Sequence, residues 1–106
     1  MKKTSASANG TSFFGSTISA TPAEMKEVLG EPSFDFYDGK INFEWVLENE
    51  NGDVFTVYDW KEGRYISDST VIEWHIGGYN AEVTNAASDE LDFALCRNQL
   101  FKMNDA

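Results

Sequence analysis

Cysteine, histidine, proline and basic residues are all scarce in this chain of 106 residues. The single cysteine, Cys96, excludes a disulfide within the chain and a four-cysteine zinc site, and it fits a reducing compartment. Lysine and arginine total 8 against 18 acidic residues, which gives a formal net charge of −10. Such an excess of acid argues against direct binding to nucleic-acid phosphates and favours basic partners.

Long apolar runs are also missing. The basic start Met1-Lys2-Lys3 looks like the beginning of an export signal, but the polar residues 4–12 that follow contain no hydrophobic region. No stretch reaches the roughly 20 apolar residues that a membrane-spanning helix needs. We therefore expect a cytoplasmic protein with no membrane partner.

Aromatic residues are abundant, at 14% of the chain within a hydrophobic fraction of 42%, and this composition is typical of a folded globular domain. Residues 1–11 are rich in serine, alanine, threonine and glycine, and we expect a disordered tail there. Residues 12–103 are predicted to form a single domain.

The strongest local signal is a β-hairpin over residues 41–61. The pair Asn51-Gly52 lies between two alternating segments and predicts a two-residue turn. In that register Trp45 lies opposite Tyr58. The predicted core face carries Ile41, Phe43, Trp45, Leu47, Val54, Thr56, Tyr58 and Trp60.

Shorter patterns predict the other elements. Residues 21–24 (TPAE) are typical of a helix start, residues 12–19 of an edge strand, and residues 71–76 of a strand with Ile72, Trp74 and Ile76 on its core side. Residues 80–102 follow a helical period, with a stripe through Val83, Ala87, Leu91, Ala94, Leu95 and Phe101 and a second edge at Phe93 and Leu100. The predicted fold is α+β: a short N-terminal helix, a three- to four-stranded antiparallel sheet, and a long C-terminal helix packed on one sheet face.

The hairpin face opposite the core contains the most interesting polar residues. With the third strand paired beside the hairpin, Glu73 and His75 join Glu44, Asp59 and Lys61, and Glu44 lies opposite Asp59. Glu44, Asp59 and His75 are ligand types for a divalent metal or an acid–base pair. No motif with metal-ligand spacing is present, however, so the sequence predicts no catalytic residue, metal or cofactor.

A second candidate site surrounds the paired glycines before the C-terminal helix. Gly77 and Gly78 could present backbone N–H groups to an anion, although a turn that needs positive φ is the more common reason for such a pair. With Arg64, His75 and Tyr79 nearby, this alternative predicts sequestration of a small signalling nucleotide.

Three segments together resemble small uncharacterised acidic proteins of tailed bacteriophages: residues 44–48 (EWVLE), 55–61 (FTVYDWK) and 74–78 (WHIGG). The resemblance implies no known activity or site residues. It implies residence in an infected bacterial cytoplasm, where small acidic phage proteins often counter host defence.

Charge, aromatic content and this resemblance lead to one hypothesis: a non-enzymatic acidic protein that binds and inhibits a host protein. The predicted partner-binding residues are Glu44, Glu48, Phe55, Asp59 and Glu73, and their carboxylates could mimic nucleic-acid phosphates. The alternatives are nucleotide sequestration and a structural phage role without inhibition. Pairing of residues 12–19 between two copies would give a homodimer.

Overall fold

The computed structural model of the protein describes residues 1–33, 41–60 and 66–104. Within these residues there are five strands and two helices: β1 (Lys2–Lys3), β2 (Ser12–Ala20), α1 (Pro22–Leu29), β3 (Glu44–Glu48), β4 (Val54–Tyr58), β5 (Ile72–Gly78) and α2 (Ala81–Asn104). The strands form one antiparallel sheet in the order β1-β3-β4-β5-β2. The predicted α+β class, with a long C-terminal helix on one sheet face, is confirmed.

The sheet is larger than the predicted three or four strands, and two strands precede α1, so this helix does not open the fold. β2 lies at one edge of the sheet, as the pattern of residues 12–19 indicated. β1 lies at the other edge, where Lys2 and Lys3 pair with Glu48 and Leu47 of β3. Two adjacent lysines show no alternation, so no periodic pattern could have indicated this strand.

Residues 1–11, predicted to be a disordered tail, follow a defined path in the structure. Because β1 and β2 occupy opposite edges, the chain between them crosses the sheet. Thr4 donates a hydrogen bond from Oγ1 to Glu48 Oε1 at 3.0 Å, and the Tyr79 hydroxyl donates to the Ser7 carbonyl at 3.2 Å. Glu48 points away from the helices, so the segment crosses that face.

Helix α1 begins as its sequence predicts. Thr21 accepts a hydrogen bond from the Glu24 backbone N–H at 3.1 Å, and the Glu24 carboxylate accepts one from the Thr21 N–H at 3.0 Å. This reciprocal capping box satisfies two backbone donors that the helix itself cannot satisfy. Met25 and Leu29 are buried, and the helix ends at Gly30.

The core lies between one face of the sheet, here called the core face, and the two helices. Trp45 and Trp74 meet there edge to face, with ring centroids 5.4 Å apart. The Trp45 indole N–H donates to the Gly30 carbonyl at 2.9 Å, and the Trp74 indole N–H donates to the Ala20 carbonyl at 3.0 Å. Both rings can therefore be buried fully without leaving a polar group unpaired. The buried apolar residues that pack together in this core are Ile18, Ala20, Met25, Leu29, Trp45, Leu47, Phe55, Val57, Ile72, Trp74, Ile76, Val83, Ala87 and Leu91.

The predicted hairpin register is wrong by one residue. Trp45 lies opposite Val57 rather than Tyr58. Because side chains alternate along a strand, a shift of one residue exchanges the two faces of β4. Phe55 and Val57 therefore point into the core, while Thr56 and Tyr58 point to the opposite face, here called the outer face.

The turn explains the shift. The Gly52 N–H donates to the Asn49 carbonyl and the Asn49 N–H donates to the Asp53 carbonyl, each at 3.0 Å, so the loop is Glu50-Asn51-Gly52. The Asn49 side-chain oxygen also accepts from the N–H groups of Asn51 and Asp53, each at 2.9 Å. Gly52 adopts a φ of +84°, as a three-residue loop of this kind requires. The Asn-Gly pair located the turn, but Asn49 determined its length.

Helix α2 begins after Asn80, whose side-chain oxygen accepts a hydrogen bond from the Val83 N–H at 2.9 Å. The predicted apolar stripe is buried through Val83, Ala87 and Leu91, but further along the helix Phe101 is exposed. Neither helix of the described ranges combines the length and the apolar character needed to cross a membrane.

Candidate functional site: an aromatic cluster on the outer face

The outer face carries a row of paired residues across four strands. Glu44 of β3 pairs with Tyr58 of β4, Tyr58 with His75 of β5, and His75 with Thr17 of β2. Directly paired residues of antiparallel strands point to the same face, so these side chains lie side by side. The row places the chain's one histidine between a tyrosine and the edge strand.

Aromatic rings surround this histidine. Phe13 stacks on His75 with ring centroids 4.0 Å apart and planes inclined by 16°. Tyr58 and Trp60 approach the imidazole at 5.6 Å and 6.3 Å, respectively. Phe13 is 42% exposed and Trp60 is 37% exposed. We call Phe13, Tyr58, Trp60 and His75 the aromatic cluster.

Irregular backbone in β2 positions Phe13. The pairing with β5 shifts register between Phe13 and Thr17, and Gly15 within that stretch has a φ of +98°. Such a bulge re-aims the side chains beside it. The residue paired with Phe13 is Gly77, so no side chain separates the phenyl ring from His75.

Tyr58 adds an electrostatic feature to the cluster. Burial raises the pKa of its phenol above the ordinary value of 10.0, and the nearby Glu44 carboxylate raises it further. Both effects disfavour the phenolate, so at neutral pH Tyr58 stays a neutral ring with a hydroxyl donor.

This pKa shift predicts a specific alkaline transition. Because the Tyr58 pKa is higher in the folded than in the unfolded chain, its stabilising contribution is complete below pH 10.0 and is lost as the pH rises through the folded-state value. The difference between ultraviolet titrations of the wild type and Tyr58→Phe should show one tyrosine ionising late. Glu44→Gln should move that ionisation to lower pH, and an unmoved ionisation would contradict the role of Glu44.

Two of the five predicted partner-binding residues are buried, so that prediction is wrong for them. Phe55 and Asp59 have no exposed surface. The burial of both residues follows from the register shift, because the shift places their side chains on the core side of the sheet instead of the outer face. Glu44 consequently lies opposite Tyr58 instead of Asp59, and the predicted pair of facing carboxylates does not form.

Asp59 instead makes a buried network of hydrogen bonds. Its carboxylate accepts from the Asn42 N–H at 2.9 and 3.1 Å, from the Asn42 side-chain amide at 2.8 Å, and from the Phe43 N–H at 2.7 Å. These bonds join the end of β4 to the residues that lead into β3. The role of Asp59 is therefore structural.

The other three predicted residues, Glu44, Glu48 and Glu73, lie at the surface to different degrees. Glu44 and Glu48 are half-buried, and Glu73 is exposed beyond His75. The Glu48 carboxylate accepts from Thr4 at 3.0 Å and lies 3.9 Å from the Lys2 ammonium, so it attaches β1 and the segment after it. Glu44 and Glu73 are therefore the predicted acids best placed to contact a partner beside the aromatic cluster.

In the described part of the chain, the two glycines of the predicted nucleotide site do not form an anion-binding turn. Gly77 and Gly78 are strand residues rather than a turn, and they face opposite sides of the sheet. A Cβ on Gly77 would lie 2.6 Å from Thr56 Oγ1 on the outer face, whereas one on Gly78 would lie 2.9 Å from Thr84 Cγ2 of α2. Both glycines permit close packing. Arg64 lies outside the described residues, and Tyr79 is engaged with Ser7.

The possible metal or acid–base trio of Glu44, Asp59 and His75 is also divided, because Asp59 lies on the core side of β4. Among residues 1–33, 41–60 and 66–104, no three histidine, cysteine or acidic side chains are grouped closely enough to hold a metal ion. Lys61, predicted on the same face, lies outside the described residues.

A second concentration of acid was not predicted from the sequence. The Glu50 N–H donates to Glu90 Oε1 at 3.3 Å, which brings the hairpin loop against α2. The exposed carboxylates at this end of the molecule are Glu50, Asp53, Glu82 and Asp89. The sequence signal for the two acids of α2 was their position between the apolar residues of the helical stripe.

Comparison of the chain with protein-family models, curated proteins and solved structures found no match.

Proposed function

We propose that the protein is a non-catalytic binding protein that holds a basic segment of a partner protein against its outer face. The aromatic cluster carries this proposal. Phe13 and Trp60 remain substantially exposed although they stack around His75. Preorganised, partly exposed aromatic rings are typical centres of protein interfaces, because they bury a large area at a small entropic cost.

The charges around the cluster support a basic partner. Glu44 lies beside Tyr58, and the exposed Glu73 follows on the same face of β5. Three lysines of the chain form ion pairs with carboxylates at 2.7 to 3.9 Å, so their charge is compensated locally. The net charge of −10 attracts a basic segment from a distance, and the aromatic rings supply the contact area.

The separation of the acids supports binding rather than catalysis. General acid–base chemistry needs two suitable groups within reach of one substrate. Glu44 and Asp59 lie on opposite sides of the sheet, and all four hydrogen bonds described for the Asp59 carboxylate come from Asn42 and Phe43.

Capture followed by titration tests the proposal. The immobilised protein is incubated with bacterial lysate, the bound protein is identified by mass spectrometry, and the purified partner is titrated calorimetrically. We expect Phe13→Ala and Glu73→Lys each to weaken binding about tenfold, because one removes an aromatic anchor and the other reverses a complementary charge.

Matched controls carry the same chemical changes on α2. Phe101→Ala removes another exposed ring, 58% exposed against 42% for Phe13, and Glu82→Lys reverses another exposed acid. Both variants should bind as the wild type does. The proposal fails when no partner is captured, or when the variants of the outer face bind with unchanged affinity.

The phage resemblance adds a prediction about the partner: it is a host protein, and binding inhibits it. If that host protein normally binds nucleic acid, Glu44 and Glu73 would occupy phosphate positions. Competition between the protein and DNA for the purified partner measures this directly.

A further inference from the structure

We propose that α2 joins two copies of this chain as a short parallel coiled coil, through Phe93, Cys96, Leu100 and Met103. We call these four residues the outward stripe. They follow the spacing i, i+3, i+7, i+10, which is the a/d spacing of a coiled-coil heptad. Phe93 and Met103 are each 68% exposed and Leu100 is 57% exposed, and Cys96 is exposed as well.

The outward stripe lies on the side of α2 opposite the core. At about 100° per residue, Cys96 is displaced by about 180° from Ala87, which is buried against the sheet. Two helices can therefore meet along this stripe with each sheet on the outside of the pair. An apolar helix face that is not used by its own core is typical of an association surface.

Charges beside the stripe favour a second copy in parallel orientation. Asp92 precedes the first a position, which makes it a g residue, and Arg97 follows the first d position, which makes it an e residue. In a parallel pair, a g residue of one helix lies beside the e residue five positions later on the other. Asp92 would thus meet Arg97 of the second copy, twice by symmetry.

An antiparallel pair would not bring these two charges together, because it places g beside g and e beside e.

The uncharged edge strand β2 is a poorer surface for self-association. Its register shift between Phe13 and Thr17 interrupts the ladder, and bulges of this kind oppose edge-to-edge pairing. The outward stripe is continuous over three helical turns.

The outward stripe is short and each copy carries a net charge of −10, so we expect a dimer dissociation constant in the micromolar range. Two copies joined through α2 would present two outer faces. A partner with two basic segments would then bind the dimer more tightly than a partner with one basic segment does.

Sedimentation equilibrium from about 1 µM to about 1 mM tests the dimer. The decisive comparison is between the variants Leu100→Asp and Phe101→Asp. The two residues are adjacent and 57% and 58% exposed, but they face different sides of α2. We expect Leu100→Asp to weaken dimerisation at least tenfold, whereas Phe101→Asp should dimerise nearly as the wild type does. Circular dichroism would verify that both variants remain folded.

Orientation is tested by charge exchange and by oxidation. Asp92→Arg and Arg97→Asp should each weaken the dimer, and the double variant should restore it. Diamide, which takes two electrons and two protons from a pair of thiols, should link the Cys96 residues of a parallel dimer, and Cys96→Ser should abolish the link. A monomer at every concentration, or a dimer insensitive to Leu100→Asp, would overturn the proposal.

Discussion

Replacement of Asp59 by alanine is expected to lower the free energy of unfolding by about 3–5 kcal/mol, because three buried donors lose their acceptor. The side chain is fully buried, and its two oxygens accept hydrogen bonds from the backbone N–H groups of Asn42 and Phe43 and from the Asn42 amide. Alanine would leave these donors without their acceptor in the interior, and each unsatisfied donor costs about 1–3 kcal/mol.

Urea denaturation of the purified variants measures this loss. Asp53→Ala is the matched control, because it removes the same charge from an exposed position, and its effect should stay within about 0.5 kcal/mol. Asp59→Asn retains one acceptor oxygen and should fall between the two. A loss below about 1 kcal/mol for Asp59→Ala would show that the carboxylate does not organise the junction of β3 and β4.

Substitution of Gly78 by alanine is expected to destabilise the fold by about 2 kcal/mol. An added Cβ would lie 2.9 Å from Thr84 Cγ2 and 3.1 Å from Val83 Cγ1. Both atoms belong to the first turns of α2, which is closely packed on the sheet, so relief requires the helix to move. Small shifts of a packed helix cost several of its contacts at once.

A second substitution identifies the clash as the cause. Thr84→Ser removes the Cγ2 methyl but keeps the hydroxyl that donates to the Ala81 carbonyl at 3.0 Å. The double variant Gly78→Ala, Thr84→Ser should recover part of the lost stability, which appears as a favourable coupling energy in a double-mutant cycle. Equal stability of Gly78→Ala and the wild type would mean that the glycine is not needed for packing.

Elements whose signals involve near neighbours were predicted well. The capping box of Thr21 and Glu24 predicted the start of α1, and the alternation of Ile72, Trp74 and Ile76 predicted β5 with its buried side. In each case the residues that decide the structure lie within four positions of one another. Local backbone geometry and burial of one face are then sufficient to specify the element.

The hairpin shows the limit of predictions that use only near neighbours in the sequence. Asn51-Gly52 predicted a turn at the right place, but the Asn49 side chain lengthened the loop by one residue. That single residue moved Phe55 and Asp59 inward and Tyr58 outward. Every prediction that depended on the faces of β4 changed with it, including two of the five partner-binding residues.

By itself, the sequence determined the core sides of β3 and β5, the acidic character of the chain, the helix starts and the α+β class. These properties follow from residue chemistry and from periods of two and 3.6 residues. Tertiary structure alone decided that Phe13 stacks on His75, that the two glycines face opposite sides, and that the outward stripe of α2 lies beyond its own core. Such contacts join residues distant in the chain, and a shift of one position in strand register reassigns them all.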